Sequence, residues 1–226
     1  MSNRPKPSRP GRSTRTDDDR RRVLLIAAAV TALVVVVGIV VALGGRSSTD
    51  STSGDKNVGY GTVVVEGAPL PEFRSTNGDP AEGATPPFVE GVDSDGNPVS
   101  IGGGRGKQPT MVVFLAHWCP HCQRELPLIV QMMSGSDLAG LRIVAVLTGT
   151  SADRPNFPPQ AWLDREGWNG EVLLDDAEAS AGHSYGLSSY PYLVFLDAQG
   201  KVVARASGEL PATDISALAE LARSSA

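Results

Sequence analysis

The sequence predicts an α/β domain, a mixed central sheet flanked by helices on both faces, standing behind a single N-terminal transmembrane helix. Three observations lead there. Residues 23–43 form an uncharged run of bilayer length, apolar strand patterns then alternate with helix patterns, and the only two cysteines lie where one such strand passes into a helix. With 226 residues, 41% hydrophobic and 20% charged, the chain can bury one good-sized core but hardly two.

Residues 1–22 are rich in Pro, Ser, Arg and Asp without apolar periodicity, as expected of a disordered cytoplasmic tail. The run Val23 to Leu43 would make a helix about 31 Å long, enough for a hydrocarbon layer of about 30 Å. Arg20, Arg21 and Arg22 abut its start and few cations follow, so the positive-inside rule places the tail in the cytoplasm and everything after residue 43 outside. The alternative is a cleaved signal peptide and a secreted domain, against which the length of the run argues. Either topology exports the rest of the chain into a compartment where disulfides persist. Residues 44–69, opening with a Ser/Thr/Gly-rich stretch, read as a flexible linker, and residues 70–226 as the folded domain.

Charge narrows the partners. Residues 1–46 carry nine Lys/Arg against three Asp/Glu, whereas residues 47–226 carry eleven against twenty-two. An acidic domain argues against nucleic acid as a partner.

Within the domain, extended pieces around Phe88 to Val99 flank a turn at Asp95-Gly96-Asn97. Thr110 to Ala116 is a continuous apolar strand, buried on both faces by its pattern, and runs into a helix from Cys119 to about Met133. Leu141 to Leu147 is a second such strand, Gln160 to Gly167 a short helix, Glu171 to Leu174 a strand and Ala177 to Tyr185 a helix. Tyr192 to Leu196 and Lys201 to Ala206 form a hairpin across Asp197-Ala198-Gln199-Gly200. The last helix starts near Thr213 as N-cap, with Ile215, Leu218 and Leu221 facing inward.

The run Trp118-Cys119-Pro120-His121-Cys122 concentrates whatever thiol chemistry the chain has. A cysteine at a helix N-terminus meets unpaired N–H groups and the helix dipole, which favour an anion, and the thiolate is the nucleophile. Cys122, three residues on, shares the helical face and lies in range to close a disulfide. Attack by Cys119 on a substrate disulfide and resolution by Cys122 is the expected cycle. A structural staple is the poorer explanation, because a ring enclosing two residues removes little unfolded-state entropy. A copper- or zinc-handling module is the alternative of another class, and it would need ligands beyond two thiols, from His117, His121 or His183. No haem or flavin signature is present, so the redox-active Cys119–Cys122 disulfide is expected to act without a cofactor and no metal site is assigned. His121, beside Cys119, would stabilise its thiolate and make the disulfide more oxidising.

The run Phe114-Leu115-Ala116-His117-Trp118-Cys119-Pro120-His121-Cys122-Gln123-Arg124-Glu125-Leu126-Pro127 resembles the active-site signature of TlpA/ResA-like thioredoxin proteins. Asp93 to Val99 is similar to the opening hairpin of such domains, and Ser189-Tyr190-Pro191-Tyr192 to their cis-proline segment. The resemblance implies a thioredoxin-like fold, with Cys119 the exposed nucleophile, Cys122 its buried partner and Pro191 a cis-proline facing them. It also implies that Tyr190 offers backbone hydrogen bonds to an extended substrate strand. Glu125 matches a glutamate near the cysteines that can accept the Cys122 proton. Val113 departs from the buried acid many relatives have there, and Pro120-His121 is similar to the oxidising DsbA family. The expected activity is thiol-disulfide exchange with exported protein thiols and a membrane or extracytoplasmic redox partner. Oxidation or isomerisation is favoured over reduction, cytochrome c maturation included.

Overall fold

The strongest apolar runs of the sequence become the middle of one sheet. The computed structural model describes residues 59–225. Its strands are β1 (Val64–Glu66), β2 (Phe88–Val92), β3 (Pro98–Ile101), β4 (Thr110–Leu115), β5 (Arg142–Leu147), β6 (Glu171–Leu174), β7 (Tyr192–Leu196) and β8 (Val202–Ser207). Its helices are α1 (Pro120–Ser134), α2 (Pro159–Glu166), α3 (Ser180–Ser184) and α4 (Ala212–Ser224). The sheet order is β1-β2-β6-β5-β4-β7-β8, with β3 paired to β2. β4, β5 and β6 are parallel, and β7 and β8 complete that side antiparallel. The mixed sheet with helices on both faces is the architecture expected.

β4 and β7 are buried along their whole length, which is why they show no polar alternation. Met111, Val113 and Leu115 of β4 point into one core with Leu126 and Ile129 of α1, Trp162 of α2 and Ile215 of α4. Val112 and Phe114 point into the other with Leu70, Phe73, Ala181, Tyr185 and Tyr192. This second core holds an ion pair. Arg205, fully buried, donates through Nε to Asp79 at 2.7 Å and through Nη2 to the same carboxylate. Its Nη1 donates to the carbonyl of Pro71 at 2.8 Å, fastening residues 70–84 to the sheet.

Several expectations are corrected. β1 lies inside the stretch assigned to the linker and pairs with β2 from Val64↔Glu90 to Glu66↔Phe88, so ordered structure begins before residue 70. Thr213 is not the N-cap of α4. The Pro211 carbonyl accepts the first bonds, from Asp214 and Ile215, which puts Thr213 inside the first turn with its hydroxyl on Asp214. Leu221 is 41% exposed while Ile215, Ala219 and Ala222 are buried. At 3.6 residues per turn Leu221 lies about 120° around the axis from Ile215, off the inward stripe. The helix expected from Ala177 shrinks to α3, because Ala179 before it takes left-handed φ of 57°.

Among the described residues no helix is long and apolar enough to cross a membrane. The spanning helix expected at residues 23–43, the tail 1–22 and the linker up to residue 58 lie outside the described residues.

Candidate active site

β4 ends at Leu115, and the chain turns through Ala116-His117-Trp118 so that Cys119 caps α1 in an extended conformation. The Cys119 N–H donates to the Ala116 carbonyl at 2.9 Å, and Pro120, which has no N–H to waste, occupies the first helical turn. Both cysteines are free thiols. Cys119 keeps 6% of its surface and Cys122 none, so the nucleophile is exposed only relative to its partner. Burial pushes the Cys122 thiol far up; a backbone hydrogen bond from Ala116 lowers it, while Cys119 and Glu125 add to the rise. Cys122 therefore holds its proton until something nearby takes it.

Glu125 is one turn on from Cys122 and 2% exposed. Both its oxygens accept from the Leu210 N–H at 3.2 Å. Burial raises its carboxyl to about 7, the Leu210 bond opposes this and Glu209 adds to it; no cation among the described residues pairs with it. A carboxyl poised near neutrality beside a reluctant thiol is suited to receive its proton.

Trp118 donates from Nε1 to the Gly149 carbonyl at 2.8 Å. Its ring meets Tyr190 edge-on at 5.9 Å, with the Arg154 guanidinium 5.2 Å from its centroid. The Tyr190–Pro191 bond is cis, as the resemblance implies, and Tyr190 packs against the core that holds both cysteines. A second cis bond, Phe157–Pro158, had no signal in the sequence.

His121 does not lie free beside Cys119. Its Nδ1 is 2.6 Å from the Glu209 carboxylate, which also accepts from Arg124 Nε and Nη2, the latter at 2.6 Å. Arg124 Nη2 is in turn 2.9 Å from His121 Nδ1. A carboxylate oxygen can only accept, so Nδ1 carries a proton, and the imidazole and guanidinium are two donors converging on one oxygen. Glu209 is held down to about 2, first by its hydrogen bonds from Arg124 and then by those from His121.

Further ligands for a metal are not gathered around the thiols. His117 is fully buried, its Nδ1 donates to the Pro155 carbonyl at 2.6 Å and its Nε2 accepts from the Ser151 N–H at 3.2 Å. Burial lowers its pKa, outweighing the Pro155 bond, so both nitrogens of a neutral ring are engaged. Among the described residues no three His, Cys, Asp or Glu are grouped to hold a metal.

The structure thus brings together Trp118, Cys119, Pro120, His121, Cys122, Glu125, Tyr190 and Pro191, all singled out by sequence. It adds Arg124, Glu209 and Leu210. Glu209 stands 88 residues from His121, and nothing local in the sequence marks that meeting.

Comparison with known proteins bears on the family and the fold. The family described as Redoxin matches residues 66–221. The methylamine utilization protein MauD of Methylophilus methylotrophus is 30% identical over 146 residues, 64% of this chain and 64% of MauD. The thiol-disulfide oxidoreductase ResA of Halalkalibacterium halodurans is 28% identical over 94 residues, 40% of this chain and 51% of ResA. The chain thus spans a little under two thirds of the length of MauD and about half that of ResA. In fold it is similar to the thioredoxin domain of a thiol-disulfide oxidoreductase from Bacteroides vulgatus, with a TM-score of 0.50 at 22% identity over 62% of this chain and 96% of that one. Together these findings agree on a thioredoxin-like fold.

Proposed function

The chain belongs to the Redoxin family, and from that premise we propose that it is a thiol-disulfide oxidoreductase of protein substrates, tethered to the membrane by residues 23–43 and working outside the cytoplasm. The observation that carries the activity is the placement of its two cysteines. Cys119 caps α1 with a sliver of exposed surface, Cys122 is sealed beneath it, and the cis Tyr190–Pro191 bond leads into β7, the strand paired with the end of β4. A cavity of about 210 Å³, lined by Phe88, Ile101, Arg105 and Arg142, lies around the start of β4, away from the cysteines that follow its end.

In the reducing direction the Cys119 thiolate attacks one sulfur of a substrate disulfide, forming a mixed disulfide and expelling the other sulfur as a thiolate. Glu125 takes the Cys122 proton. The Cys122 thiolate then attacks the Cys119 sulfur, closing the protein disulfide and releasing the substrate's second thiolate. Oxidation of substrate thiols runs the same steps backwards. Tyr190 and Pro191 offer backbone to an extended substrate segment, and Trp118 with Tyr190 supplies an aromatic shelf.

Pro120-His121 favours oxidation or isomerisation of exported proteins. Reduction, as before haem attachment to apocytochrome c, is the second direction, favoured by one observation, the engagement of His121 by Glu209. The reduction potential of the full-length chain against glutathione decides between them. A potential near or above the glutathione couple makes it an oxidase or isomerase, and one far below makes it a reductase. Cys119→Ala is expected to abolish turnover and Cys122→Ala to accumulate mixed disulfides with substrates; normal turnover by Cys122→Ala refutes the two-cysteine cycle. Retention in the membrane fraction through alkaline washing, and release on deleting residues 23–43, is the result expected of the tether.

A further inference from the structure

By resemblance the dipeptide between the cysteines and the rest of the active-site run point in opposite redox directions, and the loop from β8 to α4 holds a carboxylate, Glu209, that contacts a residue of each, His121 and Arg124. That loop carries two contacts to α1. Leu210 N–H binds the buried Glu125 on the inner side, and the Glu209 carboxylate binds His121 and Arg124 on the outer side. Arg124 grips it with two nitrogens, Nε at 3.1 Å from each oxygen and Nη2 at 2.6 Å.

We propose that Glu209 is a positioning residue that engages the polar heads of His121 and Arg124, weakens their support of the Cys119 thiolate, and so lowers the oxidising power of the Cys119–Cys122 pair. This rests on the exchange reaction proposed above.

The argument is one of protons and charge. A thiolate beside an imidazole is stabilised by an N–H or a positive charge directed at it. The Nδ1 proton of His121 is directed at Glu209. Arg124 carries a fixed positive charge that the Cys119 sulfur feels, since its own pKa is raised first by the hydrogen bonds to Glu209 and last by Cys119. With Glu209 paired to it, part of that charge is offset where Cys119 would use it. The other titratable groups around the cysteines are Glu125, facing Cys122, and the half-buried Tyr190; Arg154 lies over Trp118. None of these opposes Arg124 as Glu209 does. Arg124 is 55% exposed in its side chain, so water and salt screen the interaction and its effect is modest.

The test equilibrates the full-length chain with glutathione, in which the protein disulfide and two glutathione thiols interconvert with the protein dithiol and glutathione disulfide. Glu209→Ala and the isosteric Glu209→Gln are both expected to make the pair more oxidising by about fivefold in the equilibrium constant, or about 20 mV for a two-electron couple. Adding Arg124→Gln to Glu209→Ala is expected to return the constant toward the original, and about 1 M salt to shrink the difference. A second readout needs no turnover. With Cys122→Ala leaving Cys119 as the sole thiol, Glu209→Ala is expected to raise its alkylation rate at fixed acidic pH by a similar factor. If neither the constant nor the rate moves, the proposal is overturned. If the wild-type pair fails to equilibrate with thiols while the alkylation rate still responds, the exchange function is what has failed and the role of Glu209 stands.

Discussion

Asp79 and Glu125 are buried to nearly the same depth, 7% and 2% exposed, and belong to the cores on opposite sides of the sheet, yet their acidities move in opposite directions. Burial raises both. At Asp79 this is outweighed by hydrogen bonds from Arg205 and the Ala81 N–H and by the charge of Arg205, so its carboxyl lies below the ordinary value. At Glu125 only the Leu210 N–H opposes burial, and the carboxyl rises to about 7. The difference teaches how to separate architecture from chemistry among buried acids. One with a cation of its own is a fastening, and one left with a single backbone donor can exchange a proton near neutral pH.

The comparison breaks first at Asp79. Asp79→Asn leaves the Arg205 charge buried without its counterion and is expected to cost about 3–5 kcal/mol of stability. Because the folded pKa of Asp79 is depressed, its contribution is present above the unfolded value of 3.8 and is lost as pH falls through the folded value. Denaturant titrations at neutral pH read the loss, and an Asp79→Asn chain as stable as the parent would show that the buried pair holds nothing together.

Glu125 should behave with the opposite sign. Its folded pKa of about 7 stands above the ordinary 4.5, so between these values the folded state binds more protons than the unfolded one. Stability from this group is complete below about pH 4.5 and falls as pH rises through 7, by at most on the order of 3 kcal/mol. Glu125→Gln is expected to remove that slope, and denaturation midpoints from pH 5 to 9 measure it. The same substitution takes away the acceptor of the Cys122 proton, so release of mixed disulfides is expected to slow by about a hundredfold near neutral pH. A flat stability profile in the unmodified chain, with unchanged release in Glu125→Gln, would reduce Glu125 to packing.

What the sequence disclosed follows the same division between local and distant causes. Strands such as β4 and β7, the entry of Cys119 into α1 and the turn at Asp197 to Gly200 are written in consecutive residues, so periodicity and turn chemistry find them. Cis-Pro191 came from family resemblance alone. β1 was missed because three residues with exposed side chains carry no pattern of burial, and only pairing with β2 defines them. Arg205 reads as one polar residue in a strand, and its partner Asp79 stands 126 positions away. Glu209 was invisible for the same reason. Adjacency pairs His121 with Cys119, whereas folding delivers a carboxylate to its ring from 88 residues along the chain.

The smallest effect sharpens the comparison by taking burial away and keeping the pair. Arg142 and Glu171 meet across β5 and β6, with Nε–Oε1 at 2.7 Å and Nη2–Oε2 at 2.5 Å, a two-point contact as good in geometry as that of Arg205 with Asp79. Their side chains, however, are 26% and 47% exposed. Water solvates either partner when the other is removed, so neither is left stranded. Arg142→Gln is therefore expected to cost only about 0.2–1 kcal/mol. Raising the salt to about 1 M should shrink that further by screening, whereas the loss in Asp79→Asn should persist. Should Arg142→Gln cost as much as Asp79→Asn, geometry rather than burial would govern these pairs, and the division between fastening and chemistry drawn from Asp79 and Glu125 would fail.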